Sequence, residues 1–379
     1  MRQRQAVRLR GAAWAVFCVA LLMSSVASGQ QRFPPPDFET GYTQPALQLQ
    51  TRQTFPEEAL AAGLLLLAMG FGAWALLWRR SRRMIFVLAV ACLLYFGFYR
   101  GGCLCPIGAV QNVVLALSDP SYVVPLLALV LSVAPLVMAL FLGRVFCGTA
   151  CPLGAIQDIF LFRPVRVPRW LDEGLGLLRY VVLGVVVYAA AAGSFLMCRY
   201  DPFVAFFRFS GSAGMLAFGG ALLILGMFVG RPFCRYLCPY GALLSLAAKW
   251  TSRGVSVTPD ECINCTLCRD ACPFGAIVPP RSGSRMSRRM RAFLWGMAIL
   301  SIVVCSAGGY VATGRTVGGL ILGLWFAVVI VAKLLSLSVL SERETYEVDH
   351  AKCFACARCY LSCPRERARL KGEGEPVES

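Results

Sequence analysis

The organisation of this chain is decided by Cys262-Ile263-Asn264-Cys265-Thr266-Leu267-Cys268-Arg269-Asp270-Ala271-Cys272-Pro273 and Cys353-Phe354-Ala355-Cys356-Ala357-Arg358-Cys359-Tyr360-Leu361-Ser362-Cys363-Pro364. Both stretches follow the pattern C-x2-C-x2-C-x3-C-P, which is the spacing of 4Fe–4S cluster ligands in bacterial ferredoxins. The alternative metal is structural zinc, whose tetrahedral sites usually use paired C-x2-C knuckles. Because the run occurs twice with its proline, the sequence favours iron–sulfur over zinc.

The fourth cysteine of each run predicts a cross-ligated pair of clusters. Three neighbouring thiolates can hold three corners of a cubane, while the fourth, beside proline, ligates the partner cluster in two-cluster ferredoxins. The first cluster is expected on Cys262, Cys265, Cys268 and Cys363, and the second on Cys353, Cys356, Cys359 and Cys272. This exchange requires the two runs to meet in space. The alternative, that each cubane is only a structural staple, stays open.

Composition places these runs in a membrane protein. The chain has 379 residues, of which 58% are apolar, and a mean hydropathy of +0.65. Seven apolar spans long enough to cross or nearly cross a bilayer lie at about 58–78, 84–99, 121–142, 175–197, 212–230, 292–312 and 316–340. The net charge of +17 lies mainly between these spans, as in 79–83 and 285–289. That distribution is typical of cytoplasmic loops and argues against nucleic-acid binding.

The cysteine and histidine counts narrow the redox chemistry. Eighteen cysteines are too many for packing alone, and their spacing indicates metal rather than a disulfide framework. His350 is the single histidine, which excludes a b-type haem held by two histidines of this chain. Electrons that cross this protein must therefore use clusters, thiols, flavin or quinone.

The predicted fold is an all-α polytopic membrane protein, with about seven transmembrane helices and a small, split α+β two-cluster ferredoxin-like module. Residues 1–29, with a basic start and an apolar run, are expected to be a signal peptide or anchor. The further divisions are an extracytoplasmic segment at 30–57, a membrane core with C-x3-C-P repeats at 58–250, the first ferredoxin-type half at 251–291, a transmembrane hairpin at 292–340, and the second half with its tail at 341–379. Alternate crossing then places both halves of the module on the cytoplasmic side.

An internal repeat lies within the membrane core. Its first copy is Gly143-Arg144-Val145-Phe146-Cys147-Gly148-Thr149-Ala150-Cys151-Pro152-Leu153-Gly154-Ala155, and its second is Gly230-Arg231-Pro232-Phe233-Cys234-Arg235-Tyr236-Leu237-Cys238-Pro239-Tyr240-Gly241-Ala242. Both follow G-R-x-F-C-x3-C-P-x-G-A. A weaker third copy, expected on the outer side, is Cys103-Leu104-Cys105-Pro106-Ile107-Gly108-Ala109. Repeated halves around a shared site are a common plan in membrane proteins.

The cysteine pairs of the repeat are candidate redox or metal ligands. In a helix, residues four apart share a face, so Cys147 and Cys151 are expected to point together. Proline favours the first turn of a helix, which predicts Cys151 and Cys238 at helix N-termini, where the dipole lowers a thiol pKa. With Cys234, two facing pairs would supply four thiolates for a further iron–sulfur cluster. Thiol or disulfide redox chemistry and purely structural cysteines are the alternatives.

A second group of cysteines is predicted on the outer side, formed by Cys103, Cys105 and Cys198. These residues are candidates to bind a metal or to pass electrons outward. The alternatives are buried small side chains or a disulfide to Cys198.

A quinone site is a further candidate, because ionisable groups near a bilayer are usually functional. The residues that indicate it are Asp158, Arg199, Tyr200 and Asp201, with Asp201 favoured because it follows Cys198 closely. Interfacial anchoring and helix capping are the alternative.

The repeat and the two ferredoxin runs together resemble the NosR/NapH polyferredoxin family of bacterial membrane proteins. The resemblance covers about residues 80–365. It implies electron transfer between the quinone pool and extracytoplasmic reductases in denitrification and related anaerobic respirations. By motif match it also implies that the eight cysteines of the ferredoxin runs are cluster ligands, and that the four cysteines of the repeat take part in electron transfer.

The chain departs from the branches of that family in informative ways. NosR-type proteins carry an extracytoplasmic flavin-binding domain, whereas residues 30–57 are too few for one, so a covalent FMN is not expected. NapH-type proteins lack that domain too, but their ferredoxin runs are closer together. The related CcoG-type proteins, linked to copper handling, end in an extracytoplasmic β-sandwich, whereas this sequence ends in a short charged tail.

The sequence thus predicts an iron–sulfur electron-transfer protein embedded in the lipid of the cytoplasmic membrane. We expect it to link the quinone pool or a cytoplasmic donor to an extracytoplasmic oxidoreductase or redox carrier, or to the maturation of such an enzyme. A metal-handling assembly factor and a redox sensor for a respiratory enzyme are the alternatives.

Overall fold

The chain is mostly helical over the residues that the structure describes. The computed structural model describes residues 55–102, 105–120, 122–194, 201–208, 212–256, 262–263, 265–280, 288–314, 316–338, 346–364 and 366. The helices are, in chain order, α1 (Phe55–Leu77), α2 (Arg82–Cys92, continued by the π-helical segment Leu93–Tyr99), α3 (Pro106–Ser118), α4 (Leu126–Leu142), α5 (Val145–Thr149), α6 (Pro152–Ile159), α7 (Arg169–Ala191), α8 (Pro202–Phe207), α9 (Ala213–Gly226), α10 (Pro232–Tyr236), α11 (Pro239–Ala247, followed by the 3-10 turn Ala248–Trp250), α12 (Leu267–Ala271), α13 (Arg288–Ala312), α14 (Val317–Ser338) and α15 (Arg358–Ser362). The predicted signal or anchor lies outside the described residues.

Five of these helices are long and apolar enough to cross a membrane: α1, α2 with its continuation, α7, α13 and α14. They correspond to five of the seven predicted spans. The predicted span at 121–142 is instead the 17-residue α4, bounded by Pro125 and Gly143, and the span at 212–230 is the 14-residue α9. Helix α3, which the sequence did not indicate as apolar, adds a third shorter helix. The exact number of crossings therefore stays a prediction.

Each copy of the repeat follows an apolar helix, α4 or α9, and folds as a five-residue helix and then a helix that begins at the motif proline. Pro152 and Pro239 occupy the first turns of α6 and α11, which confirms the predicted placement of Cys151 and Cys238 at helix N-termini. The third copy behaves alike, since α3 begins at Pro106 directly after Cys105.

The expectation that Cys147 and Cys151 share one helical face is wrong. Cys147 lies in α5, which ends at Thr149, and Cys151 is extended, with φ −76° and ψ 117°. The cause is local, because the ring of Pro152 disfavours helical backbone at the residue before it. The two cysteines therefore belong to different helices, and their relative position depends on how those helices pack.

The two cysteine runs meet although the chain between them is long. Strands β1 (Ile277–Val278) and β2 (Glu347–Val348) pair antiparallel, with Ile277 opposite Val348. Helices α12 and α15 pack together beside this pair. The residues before these helices, Thr266 and Ala357, both have left-handed backbone, with φ of 65° and 58°. The two halves therefore have matching local turns, as two copies of one cluster-binding loop require.

Helices α13 and α14 form the hairpin that connects the two halves. A methyl group on Gly323 would lie 2.2 Å from the carbonyl oxygen of Cys305, so the helices touch through their backbones. The hairpin also packs on α7, where the indole N–H of Trp325 donates to the carbonyl of Tyr180 at 2.9 Å. Glycine in α14 is what permits this close crossing.

Candidate iron–sulfur sites

Four cysteines from both runs line one small cavity, which we call module site 2: Cys272, Cys353, Cys356 and Cys359. Its remaining walls are almost entirely apolar, and they include Phe274, Ile277 and Val348. Burial raises the pKa of the Cys353 thiol to about 12, and the neighbouring Cys356 and Cys272 add to that rise. This is the set of residues that the cross-ligation hypothesis names, with the fourth thiol supplied by the other run.

The reciprocal set, which we call module site 1, is also brought together: Cys262, Cys265, Cys268 and Cys363. Burial raises the pKa of the Cys268 thiol, and electrostatic interaction with the other three members adds to that rise. Cys268 is buried, whereas the other three are partly exposed. Ligation at both module sites stays a prediction, but the spatial arrangement that it needs is present.

The four cysteines of the repeat form a third group, the repeat site: Cys147, Cys151, Cys234 and Cys238, which are 4–7% exposed. Burial raises the pKa of the Cys151 thiol, and the nearby thiols of Cys234 and Cys147 raise it further. Burial likewise raises the pKa of Cys234 to about 11. The two pairs therefore face one another across the two copies of the repeat.

Backbone and side-chain N–H groups point at the sulfurs of the repeat site. The backbone N–H of Gly241 donates to Cys238 Sγ at 3.3 Å, and the N–H of Gly154 donates to the thiol of Cys151 at the equivalent position. The side-chain amide of Gln157 donates to Cys234 Sγ at 3.1 Å. Such donors stabilise sulfur that carries negative charge, and they tune the potential of iron–sulfur clusters.

The glycine that follows the motif proline by two residues, Gly154 or Gly241, allows the two helices of each copy to approach closely. A methyl group on Gly154 would lie 2.5 Å from the carbonyl oxygen of Cys147, and one on Gly241 would lie 3.1 Å from that of Cys234. Each glycine therefore lets the first turn of a proline-started helix approach the preceding five-residue helix.

The ligand atoms available at the three sites are of the type that iron–sulfur clusters require. Each site offers four cysteine sulfurs, and those of the repeat site and of module site 2 lie largely among packed apolar side chains. Among the described residues, no three Cys, His, Asp or Glu side chains converge closely enough to hold a single metal ion. A cubane places different demands, because each cysteine binds a different iron and the ligand sulfurs lie further apart than around one ion.

Two buried carboxylates, whose ion pairs the sequence did not predict, tie the module to the membrane core. Asp158 pairs with Arg82, with Arg358 at 3.1 Å and with Arg231 at 3.7 Å. Although burial acts to raise its pKa, these arginines outweigh that effect and lower it. Asp158, considered above for a quinone site, is thus placed within an ion-pair cluster.

The second carboxylate, Asp172 of α7, joins the other copy of the repeat to the module. It pairs with Arg235 at 2.7 Å and with Lys352 at 3.2 Å, and it accepts a hydrogen bond from the hydroxyl of Tyr236 at 3.1 Å. Arg235 also donates to the carbonyl oxygen of Phe274 at 3.0 Å, next to module site 2. Both copies of the repeat are therefore anchored to the module by charge as well as by packing.

The outer group is only partly within the described residues. Cys105 Sγ donates to Asp201 Oδ2 at 3.2 Å, and Asp201 also caps α8 by accepting from the N–H of Phe203 at 3.0 Å. Asp201 is fully buried, and burial raises its pKa. Cys103, Cys198, Arg199 and Tyr200 lie outside the described residues, so the outer metal, electron or quinone site stays a prediction.

Two family models match the chain. A model described as a 4Fe-4S binding domain matches residues 124–169 and 212–258, which contain the repeat site. A model described as a 4Fe-4S dicluster domain matches residues 261–368, which contain both module sites.

Curated relatives match the same regions. YccM of Escherichia coli, whose name assigns it provisionally to electron transport, is 30% identical over 38% of this chain and 46% of its own length. The uncharacterized protein MJ0750 of Methanocaldococcus jannaschii is 32% identical over 48% of this chain and 77% of its own length. The regulatory protein NosR of Pseudomonas aeruginosa is 30% identical over 31% of this chain and 18% of its own length. The match thus spans about half of YccM and a smaller share of NosR, and no solved structure matches.

The motifs, the two family models and the relatives agree with one another. Both copies of the repeat and both ferredoxin runs lie within matched regions, and MJ0750 is matched over most of its length. The chain therefore belongs to the NosR/NapH-like family of 4Fe–4S membrane proteins.

Proposed function

We propose that this iron–sulfur membrane protein carries electrons between the two module sites and the repeat site, and that the repeat site holds a metal centre of its own. Clusters bound at these sites would supply one-electron transfer. The protein's part is to hold the thiolates, to exclude water and to direct N–H groups at sulfur.

The observation that carries this proposal is the direct contact between the repeat site and module site 2. A methyl group on Gly148, the residue after Cys147, would lie 2.4 Å from the carbonyl oxygen of Phe354, the residue after Cys353. Phe354, Cys356 and the four cysteines of the repeat site belong to one hydrophobic cluster. Thiols of the two sites are therefore separated by packed protein and not by solvent.

Aromatic rings fill the boundary between the sites. Phe274 and Phe354 lie with ring centroids 4.8 Å apart, one from each half of the module. Gly230, at the start of the second repeat copy, packs against the side chains of Phe274 and Pro273. This close packing keeps the sites dry, which favours electron transfer over loss of clusters to water.

The module is proposed to face the cytoplasm. The basic segment that joins α1 to the start of α2 contacts the module, because Arg80 pairs with Glu366 at 2.6 Å and Arg82 donates to the carbonyl oxygen of Cys356 at 3.2 Å. Basic loops lie preferentially on the cytoplasmic side. Labelling of a cysteine introduced at Arg83, in intact spheroplasts and in inverted vesicles, tests this orientation, and labelling only from the outer side would contradict it.

The donor and acceptor follow from this orientation as proposals. A quinol or a cytoplasmic donor would feed the module, and the path would continue from the repeat site toward Cys103, Cys105 and Cys198 to an extracytoplasmic reductase or carrier. YccM carries a name in electron transport, which supports transfer. NosR is named a regulatory protein, which makes redox sensing the second candidate.

The first experiment is iron and acid-labile sulfide per chain on anaerobically purified protein, with EPR of the reduced state. We expect clearly more than the about eight irons of two cubanes. Cys147→Ser should return the count to about eight, and Cys268→Ser should remove about four irons from the module. Cys305→Ser, in the hairpin and outside all three sites, is the control.

Two outcomes would contradict the proposal. A count of about eight irons that Cys147→Ser leaves unchanged would leave the repeat cysteines as thiols or structure. Zinc in place of iron would remove the electron-transfer function altogether. A sensor would instead keep its clusters but change the expression of a partner enzyme, with no stoichiometric electron flow.

A further inference from the structure

The second residue of each repeat copy is a buried arginine. Arg144 is 1% exposed and Arg231 is fully buried. A guanidinium keeps its charge at any ordinary pH, and a buried charge is costly unless an opposite charge lies nearby. Two such residues at equivalent motif positions therefore need nearby negative charge.

Carboxylates balance this arginine pair only in part. Within the described part of the chain, no carboxylate lies within 4.0 Å of the Arg144 guanidinium, whose contacts are the carbonyl of Ala351 at 3.2 Å, the ring of Phe354 at 4.1 Å and Cys147 Sγ at 3.8 Å. Arg231 reaches Asp158 only at 3.7 Å, and that carboxylate also pairs with two other arginines. Positive charge is thus in excess at this boundary.

Several nitrogens of the arginine pair also have no hydrogen-bond partner. Nε of Arg144, and both Nε and Nη2 of Arg231, are buried without an acceptor. Buried donors of this kind are rare in folded proteins, and each calls for an explanation. A negatively charged group among the nearby sulfurs would meet both needs, since it supplies charge and acceptors together.

The arginine pair lies between the repeat site and module site 2. Arg144 interacts electrostatically with Cys234 and Cys238 of the repeat site and with Cys353 of the module. Arg231 interacts with Cys147 and Cys234 on one side and with Cys356 on the other. Each arginine therefore faces ligand positions of both sites.

Each arginine of the pair also contacts the other copy of the repeat. Arg231 of the second copy donates to the carbonyl of Cys147 in the first copy at 2.5 Å. Arg144 of the first copy lies against Gly241 in the second, where a methyl group would be 3.2 Å from its Nη2. Each half of the repeat site is thus completed by the arginine of the other half.

We propose that Arg144 and Arg231 are positioning residues whose charge raises the reduction potentials of the centres at the repeat site and at module site 2. Four thiolates outweigh the charge of a cubane, so a ligated cluster is an anion and gains a further negative charge when it is reduced. A nearby fixed cation stabilises the reduced form more than the oxidised form, and net charge is one of the determinants of cluster potential. This inference rests on the proposed function.

The test is an EPR-monitored redox titration of Arg144→Gln and Arg231→Gln, with iron counted in each sample. We expect each variant to keep its iron and to need a more negative potential for reduction. At a given potential, the ratio of reduced to oxidised centre should fall at least tenfold, which corresponds to a shift of about 59 mV for one electron. Arg144→Lys and Arg231→Lys should restore most of the shift because they keep the charge.

The double variant Arg235→Gln/Asp172→Asn is the matched control. Arg235 is a buried arginine of the second repeat copy that contacts the module, and its charge is paired with Asp172 at 2.7 Å. Because the double variant removes one positive and one negative charge together, we expect it to leave the potentials nearly unchanged. Asp158→Asn adds a test of sign, because it removes negative charge from the same boundary and should shift the potentials upward.

The potentials and the iron contents of the variants together support or overturn the proposal. Unchanged potentials in iron-replete glutamine variants would overturn the proposal, as would an equal shift in Arg235→Gln/Asp172→Asn. If the glutamine variants lose iron, retention in the lysine variants supports a role for charge, and loss in both overturns it. A wild-type count of about eight irons would refute the metal centre at the repeat site, while the shift at module site 2 would still test the arginines.

Discussion

Gly148→Ala should separate the module from the membrane core. The added methyl would lie 2.4 Å from the carbonyl oxygen of Phe354 and 2.9 Å from that of Ala355, whereas ordinary contact begins at 3.4 Å. The obstructing atoms are backbone, so the loop that carries Cys353 and Cys356 must recede by about 1 Å. Overpacking of this kind costs about 1–3 kcal/mol, which is roughly a 5- to 150-fold change in the docking equilibrium.

Hydrogen exchange measured by mass spectrometry can detect this change. The peptide 346–356 packs directly on the membrane core, where Arg144 donates to the carbonyl of Ala351 and Gly148 touches the carbonyl of Phe354, so its amides are shielded while the module is docked. We expect exchange in this peptide to accelerate by roughly the same 5- to 150-fold factor, because local opening exposes these amides. Gly70→Ala is the control, since a methyl there meets nothing within 4 Å. Wild-type exchange in an iron-replete Gly148→Ala protein would refute the packing argument.

Three further changes should act on separate parts of the protein. Gly154→Ala puts a methyl 2.5 Å from the carbonyl oxygen of Cys147, so we expect the repeat site to lose its metal while the module keeps about eight irons. Asp158→Asn should destabilise the protein by roughly 3–5 kcal/mol at neutral pH, because buried arginines lose their partner. Gly323→Ala puts a methyl 2.2 Å from the carbonyl oxygen of Cys305 and should loosen the hairpin by about 1–3 kcal/mol without loss of iron.

Each of these changes has its own check. Iron analysis tests Gly154→Ala, and loss of module iron instead would show that the three sites are not independent. Thermal unfolding in detergent tests Gly323→Ala against Gly296→Ala, where a methyl meets nothing within 4 Å, and equal stability of the two would contradict the close helix crossing.

Acid titration provides the check on Asp158. Its pKa in the folded protein lies below the ordinary value of 3.8, since the neighbouring arginines outweigh the effect of burial. The stability it contributes is therefore present above pH 3.8 and is lost as pH falls through the lower folded value. Asp158→Asn should remove that part of the acid dependence, and an unchanged acid limb would count against the ion-pair cluster.

The cysteine spacing was informative well beyond its local segments. It predicted that Cys363 would join Cys268, and that Cys272 would join Cys353, and the structure brings both groups of thiols together. This was possible because the fourth cysteine of each run ligates the partner cluster in ferredoxins with this motif, so the motif itself predicts that the two runs lie close together. Arg144 and Arg231 belong to the repeated motif, but the sequence did not predict a role for them. The groups that surround each guanidinium come from segments far away in the chain.

The sequence by itself determined the features that follow from local chemistry. Proline fixed where α3, α6 and α11 begin, hydropathy indicated the five long helices, and the cysteine runs specified what kind of metal centre to expect. Only the tertiary structure decided that Cys147 and Cys151 lie on different helices, that Gly148 touches Phe354, and that Arg144 and Arg231 lie between two groups of thiols. The physical reason is that packing and buried charge depend on contacts between segments distant in sequence, which no local pattern encodes.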